Sequence, residues 1–296
     1  MNAELKQIQA TLKTIGLYTG AIDGLIGNKT YSAFVKLKEY KGSKQPLRDI
    51  QTILATARVY FGAIDGIIGN GSISAFNHLM PAPKVTDELL KKIYKNCASG
   101  FADYINQNIA TYHIKTKADL CAFLANNIHE SGGFTKLREN MNYSPKRLLE
   151  VFPKYFKSLA SATVIANSGP VAIANTVYGG RMGNNPNTND GFNYRGGGTI
   201  HLTGADNYRL CSIGIGVGTK LFDNPDLIVQ PEFAMKSALW FWERNQCSRF
   251  ANFGDFERVC RIINGGTNGL ADRQKKWAHY SKAIGNDLNA WVAKLE

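Results

Sequence analysis

Residues 17–34, LYTGAIDGLIGNKTYSAF, return as residues 59–76, VYFGAIDGIIGNGSISAF, at a constant offset of 42. Tyr18/Tyr60, Gly20/Gly62, Asp23/Asp65, Gly24/Gly66, Gly27/Gly69, Asn28/Asn70 and Phe34/Phe76 all match. A repeat this close means that the start of the chain uses one supersecondary unit twice. Each copy reads as an amphipathic stretch, a tight Asp-Gly turn and a second apolar-periodic stretch. Asp-Gly suits a turn because glycine takes positive φ freely and aspartate bonds its own local backbone. The sequence leaves open whether the copies form one module or two. Pro81 and Pro83, in MPAPKVTDE, mark a linker over residues 81–90, which separates a region at 1–80 from a larger domain at 91–296.

The two copies resemble the peptidoglycan-binding module of cell-wall hydrolases, a small helical unit built around a G-x-I-D-G-x-x-G turn. That resemblance implies wall binding by residues 1–80, with Asp23, Gly24, Asp65 and Gly66 as the candidate contacts. The competing reading is that the two aspartates only hold their turns.

Beyond the linker the pattern is helical. Thr116 and Asp119 form a candidate capping box, followed at helical spacing by Leu120, Phe123, Leu124 and Ile128. Gly132 and Gly133 fall where a helix C-cap would put them. QPEFAMKSALWFWERN has Pro231 at a helix start and apolar residues most of the way round, the pattern of a buried helix. FERVCRIINGG sets Phe256, Val259, Cys260 and Ile263 on one stripe that ends at Gly265. The glycine-rich segment between these helices should be mostly loop, with room for a hairpin over residues 194–203. The expected fold is mainly α, with a helical lobe on each side of the loop-rich segment.

The stretch NNIHESGGFTKLRENMNYS carries Glu130 and Glu139, nine positions apart. On one continuous helix they would face opposite ways. With two glycines ending the helix after Glu130, the chain can fold back and bring both carboxylates to one cleft. Such a pair suits glycoside hydrolysis, in which one carboxylic acid protonates the leaving oxygen and the other, ionised, activates water. Glu130, ending an apolar helix, suits the acid. Glu139, in a loop between Arg138 and Asn140, suits the base.

Three ordered motifs, HESGGF…RENMNYS, YRGGGTIHLTGADNY and IINGGTNGLADR, together resemble glycoside hydrolase family 19, in its phage endolysin branch. The likeness runs from about residue 93 to the C-terminus. It implies a lysozyme-like bilobal helical catalytic domain with Glu130 as general acid and Glu139 as general base. It also implies Thr203 as the hydroxyl that holds the attacking water, and Asn264 as a residue lining the sugar cleft. Asn207 and Tyr208 follow Thr203 closely enough to line the same cleft, although Tyr208 has a competing reading as core. Arg273, downstream of the Asn264 turn, is expected to favour ionised Glu139 by proximity. His201 stands where many relatives carry glutamine and is a weaker sugar-binding candidate. His129 reads as packing near Glu130, because no second histidine follows at the spacing a metal site needs. Neither a metal nor a cofactor is implied.

The formal net charge of +12 and a pI near 9.4 call for an anionic partner: nucleic acid, an acidic membrane surface or a cell-wall polymer. Dispersed lysines and arginines without a recognition motif argue against nucleic acid. Five cysteines, an odd number with no C-x-x-C clip, are expected to be buried thiols. The N-terminus lacks the apolar segment of a signal peptide, and no apolar run suits a membrane span. The expectation is therefore a monomeric phage-type endolysin that cuts β-1,4 bonds of peptidoglycan glycan strands. It would be made in the host cytoplasm and act on the wall after release. A chitinase, a lytic transglycosylase and a non-catalytic wall lectin are the competing readings.

Overall fold

The computed structural model describes residues 3–283, apart from residues 27, 80–83, 113, 115 and 268. The chain is mainly helical, as its pattern predicts, and forms two compact units. One takes in residues 1–85, 109–123 and 246–296, the other residues 86–108 and 124–245.

In the first unit the repeat becomes two copies of a helix–turn–helix: α1 (Ala3–Thr14) and α2 (Asn28–Val35), then α3 (Gln45–Thr56) and α4 (Asn70–His78). The offset of 42 extends upstream of the turns. Leu5, Ile8, Gln9 and Leu12 of α1 are buried, and so are Leu47, Ile50, Gln51 and Leu54 of α3. Both copies feed one hydrophobic core, at whose centre Phe34 and Phe76 stack with ring centroids 3.8 Å apart. The question the sequence left open is answered by this packing: the copies make one module.

Each Asp-Gly turn is clamped by a fully buried glutamine. Gln9 Nε2 donates to Asp23 Oδ1 at 2.8 Å and to the Leu25 carbonyl at 2.8 Å, while its Oε1 accepts from Gly24 N at 2.7 Å. Gln51 repeats this on Asp65 at 3.0 Å, the Ile67 carbonyl at 3.0 Å and Gly66 N at 2.8 Å. Asp23 and Asp65 also accept from the amides of Leu25 and Ile67, both at 2.9 Å. Burial pushes the Asp23 carboxyl up, but these bonds together outweigh it and hold the group below the usual carboxylate range. For Asp65 the glutamine bond is the main cause of the same downward direction. Both aspartates are thus engaged in holding their turns.

The same unit contains α15 (Cys247–Asn252), α16 (Phe256–Asn264) and α17 (Leu270–Ala283). Phe256 stacks on Trp277 at 4.9 Å. The start of α7 (Lys117–Ser131) is capped as its sequence predicts, with Asp119 N donating to Thr116 Oγ1 at 3.0 Å. Asn252 joins this cap, accepting from Thr116 Oγ1 at 2.6 Å and donating to Asp119 at 3.1 Å.

The second unit begins within the expected linker. Pro81 and Pro83 lie outside the described residues, but residues 87–90 form the first turn of α5 (Asp87–Ile93). Thr86 caps it by accepting from Leu89 N at 3.1 Å. After α6 (Phe101–Asn108) and the latter part of α7 come α8 (Pro145–Val151), α9 (Leu159–Asn167), α10 (Gly169–Tyr178) and α11 (Asp190–Asn193). These four helices surround a satellite core of Met141, Leu148, Phe156, Ile173 and Val177. Next follow α12 (Ala205–Gly214), α13 (Lys220–Asp223) and α14 (Pro231–Arg244). Helix α14 is buried on most sides, through Phe233, Met235, Leu239, Trp240 and Trp242 among others. No strand occurs among the described residues. The expected hairpin over 194–203 is reduced to isolated antiparallel bridges, Arg138 with Gly197 and Gly197 with Leu202.

All five cysteines are buried thiols. Burial pushes Cys97, Cys211 and Cys247 up to about 12.

Phe34→Ala and Phe76→Ala should each cost about 3–5 kcal/mol in chemical denaturation. Because the rings share one core, the double variant should fall short of the summed losses by about 1 kcal/mol or more. Strictly additive losses would mean two independent cores.

Candidate active site

Helix α7 delivers Glu130 on its last turn. Residues from Leu120 to Ile128 are almost fully buried, and the surface opens only at His129 and Glu130. The helix then ends sharply. Ser131 Oγ donates to the Asn127 carbonyl at 2.6 Å and accepts from Phe134 N at 2.8 Å. Gly132, Gly133 and Phe134 take φ of 58°, 79° and 65° in succession. A Cβ on Gly133 would lie 2.8 Å from the Tyr94 ring, so the second glycine of HESGG is required by space as well as by its dihedral.

Past this turn the chain runs beside the glycine-rich segment. Glu139 N donates to the Gly196 carbonyl at 2.8 Å, and Gly198 N to the Leu137 carbonyl at 3.0 Å. The approach is tight at Gly196 and closed to a side chain at Gly197. A Cβ on Gly196 would lie 3.2 Å from Glu139 Oε2, and one on Gly197 would lie 2.4 Å from both Ile228 and the Tyr208 hydroxyl. Gly196 is the glycine that faces Glu139, while Gly197 makes room for Ile228 and Tyr208.

The Glu139 carboxylate is held at both oxygens. Tyr178 OH donates to Oε1 at 2.7 Å, and Gly196 N donates to Oε2 at 3.0 Å. Burial, and then the charge of Glu139, raise the phenols of Tyr178 and Tyr143 above the usual tyrosine range, so both stay protonated. A carboxylate fixed in this way and half open to solvent is equipped to accept a proton from water. It lines an open cavity of about 840 Å³ whose walls include Thr135, Lys136, Tyr143, His201 and Val229.

Arg138 does not serve Glu139 as its neighbouring position suggests. In extended chain, successive side chains point to opposite faces, and the Arg138 guanidinium turns away. It donates to Tyr208 OH at 2.9 Å, to the Pro225 carbonyl at 3.0 Å and to Asp226 at 2.7 Å. Tyr208 has no exposed surface, so the expectation that it lines a sugar cleft does not hold. Its hydroxyl passes the link on to the Arg195 carbonyl at 2.9 Å. Burial, followed by the nearby Arg138 charge, lowers the Arg195 pKa, with Asp226 and Glu139 opposing.

His201 shares the cavity with Glu139. It takes an unusual φ of 52°, and its Nε2 lies 3.0 Å from the Lys136 carbonyl. A carbonyl oxygen only accepts, so this contact fixes the proton on Nε2. Thr203 Oγ1 donates to the His201 carbonyl at 2.8 Å, and Asn207 Nδ2 donates to the Thr203 carbonyl at 2.8 Å. Glu130 and Thr203 are not among the residues lining the 840 Å³ cavity. Asn264 and Arg273 belong to the other unit. Asn264 is the last residue of α16, before Gly265 at φ 68°, and Arg273 is only 1% exposed within α17.

Two partners of Glu139 escaped the sequence reading. Tyr178 ends α10 in VYGG, a stretch that reads as the start of a loop, and nothing local ties it to a carboxylate 39 residues earlier. Gly196 donates through its backbone, which carries no residue signature.

A family model described as chitinase class I matches residues 166–267. A Haemophilus influenzae protein described as a glycosyl hydrolase family 19 domain-containing protein is 34% identical over 192 residues, covering 64% of this chain and 92% of its own length. The chain belongs to glycoside hydrolase family 19 and is a glycosidase. An acidic 26 kDa endochitinase of Solanum lycopersicum is 46% identical over 54 residues, 18% of this chain and 21% of that protein. Among solved structures, chitinase C from Streptomyces griseus HUT6037 aligns with a TM-score of 0.47 at 20% identity, over 69% of this chain and 93% of its own.

The Arg138 contacts differ in weight. Asp226 is 82% exposed, so Asp226→Asn should cost less than about 1 kcal/mol in urea denaturation. Arg138→Ala, which also strips the buried Tyr208 hydroxyl and the Pro225 carbonyl, should cost about 2–3 kcal/mol.

Proposed function

We propose that this glycosidase is a phage-type endolysin that hydrolyses the β-1,4 bonds of bacterial peptidoglycan with inversion. Its N-terminal module would hold the enzyme on the wall. The observation that carries the chemical part is the Glu139 carboxylate, fixed by Tyr178 and Gly196 on the wall of an open cavity. In this reading Glu139 takes a proton from water as the water oxygen attacks the anomeric carbon. Glu130 gives its proton to the departing glycosidic oxygen, and Thr203 orients the water. Asn264, His201 and Asn207 are the candidate sugar contacts.

The wall is favoured as substrate by two features. The N-terminal repeats resemble wall-binding modules, and a net charge of +12 suits an anionic polymer better than neutral chitin. The enzyme would be made in the host cytoplasm and reach the wall once the inner membrane is permeabilised. No described helix is long and apolar enough to cross a membrane. A chitinase is the second reading, motivated by the 46% identity to a tomato endochitinase over 54 residues.

Mass spectrometry of digests of Gram-negative peptidoglycan tests the proposal. Reducing-end muropeptides should appear, and both Glu130→Gln and Glu139→Gln should lower kcat by about 100-fold or more. Products ending in 1,6-anhydro sugars would replace hydrolysis by transglycosylation. Turnover of chitin oligomers without turnover of peptidoglycan would favour the chitinase.

A further inference from the structure

We infer that Tyr178 is a positioning residue for the glycosidase reaction, its hydroxyl holding the Glu139 carboxylate in the orientation from which it takes a proton from the attacking water. This rests on the reading of Glu139 as the general base.

A glutamate carboxyl turns easily about its last torsion, which has broad, roughly two-fold wells. Glu139 sits in a loop and is half exposed, so its own backbone does not fix that torsion. Two donors from separate elements do. Gly196 N, across the antiparallel bridge, occupies Oε2 at 3.0 Å, and Tyr178 OH occupies Oε1 at 2.7 Å. The amide alone would leave the carboxylate free to pivot about one hydrogen bond. The phenol removes that freedom and leaves one lone pair on each oxygen for a substrate water.

Tyr178 is itself held from behind. It ends α10 one residue after Val177, in the satellite core that also contains Ile173 and Ala174. Its carbonyl accepts from Asn184 Nδ2 at 2.9 Å and from Arg181 N at 3.2 Å. Asn184 is only 4% exposed, and its Oδ1 accepts from Ala205 N at 2.9 Å. One buried amide side chain therefore ties the end of α10 to the segment just after Thr203. The helices at 145–193 thus brace the base through a single hydroxyl. The raised phenol of Tyr178 keeps that hydroxyl a donor wherever Glu139 is ionised.

The test is steady-state kinetics on soluble glycan fragments with Tyr178→Phe, Glu139→Ala and the double variant, alongside melting temperatures of each. Tyr178→Phe keeps the ring and its packing. It should lower kcat about 10- to 100-fold with KM within about twofold. Added to Glu139→Ala, it should lower the residual rate no further, because the group it positions has gone. Wild-type kcat in Tyr178→Phe overturns the inference. So does an equal loss in both backgrounds, or a loss that follows a lowered melting temperature, since either marks a merely structural role. Wild-type kcat in Glu139→Ala would remove the base assignment and the inference with it, a pattern distinct from a silent Tyr178→Phe beside an inactive Glu139→Ala.

Discussion

The backbone pairing of Glu139 with Gly196 is the contact on which the rest of the candidate site depends. One residue pair supplies two hydrogen bonds, amide to carbonyl in one direction and amide to carboxylate in the other. A Cβ would crowd this pairing at Gly196 and would clash with Ile228 and Tyr208 at Gly197, which gives two of the three glycines a local reason. Once the pairing forms, the alternation of extended chain sends Arg138 to the far face, against Tyr208 and the Pro225 carbonyl. The ionisable side chain next to Glu139 in sequence thereby becomes part of the scaffold, and a tyrosine 39 residues away becomes its partner.

A similar substitution of roles occurs in the N-terminal module. The aspartates that mark the repeat are occupied with their own turns, each clamped by a buried glutamine from the preceding helix. Burying a primary amide costs free energy unless its donors and acceptor are met. Gln9 and Gln51 meet them with a carboxylate, a carbonyl and an amide from one turn. The turn and the helix consequently stand or fall together. Beside the two exposed aspartates, Ile22, Leu25, Ile64 and Ile67 flank the turns and are 42–58% exposed.

Much of this was legible in the sequence. The repeat, the capped start of α7, its glycine stop and the buried helix α14 all follow from short-range pattern, since period, cap and breaker act within a few residues. The family was legible too, because its motifs are contiguous. What the sequence did not reveal depends on long-range pairing. Tyr178 joins Glu139 across 39 positions and Thr199 joins Asn127 across 72, and no periodicity links such residues. The expected hairpin failed for a local reason: three glycines and a left-handed His201 leave only one cross-bridge between its arms. Gln9 and Gln51 were within reach, since the same offset of 42, carried upstream of the turns, pairs them directly.

The burial of all five cysteines bears on their reactivity. A thiol exchanges or oxidises through its thiolate, and it must be reached by the attacking group. Cys97, Cys211 and Cys247 are held far from ionisation by burial, and Cys121 is shifted in the same direction. Burial and a raised pKa together make these thiols slow to exchange or oxidise. Their sulfurs fill space in the core as small apolar groups, and their chemistry is set aside by the packing around them.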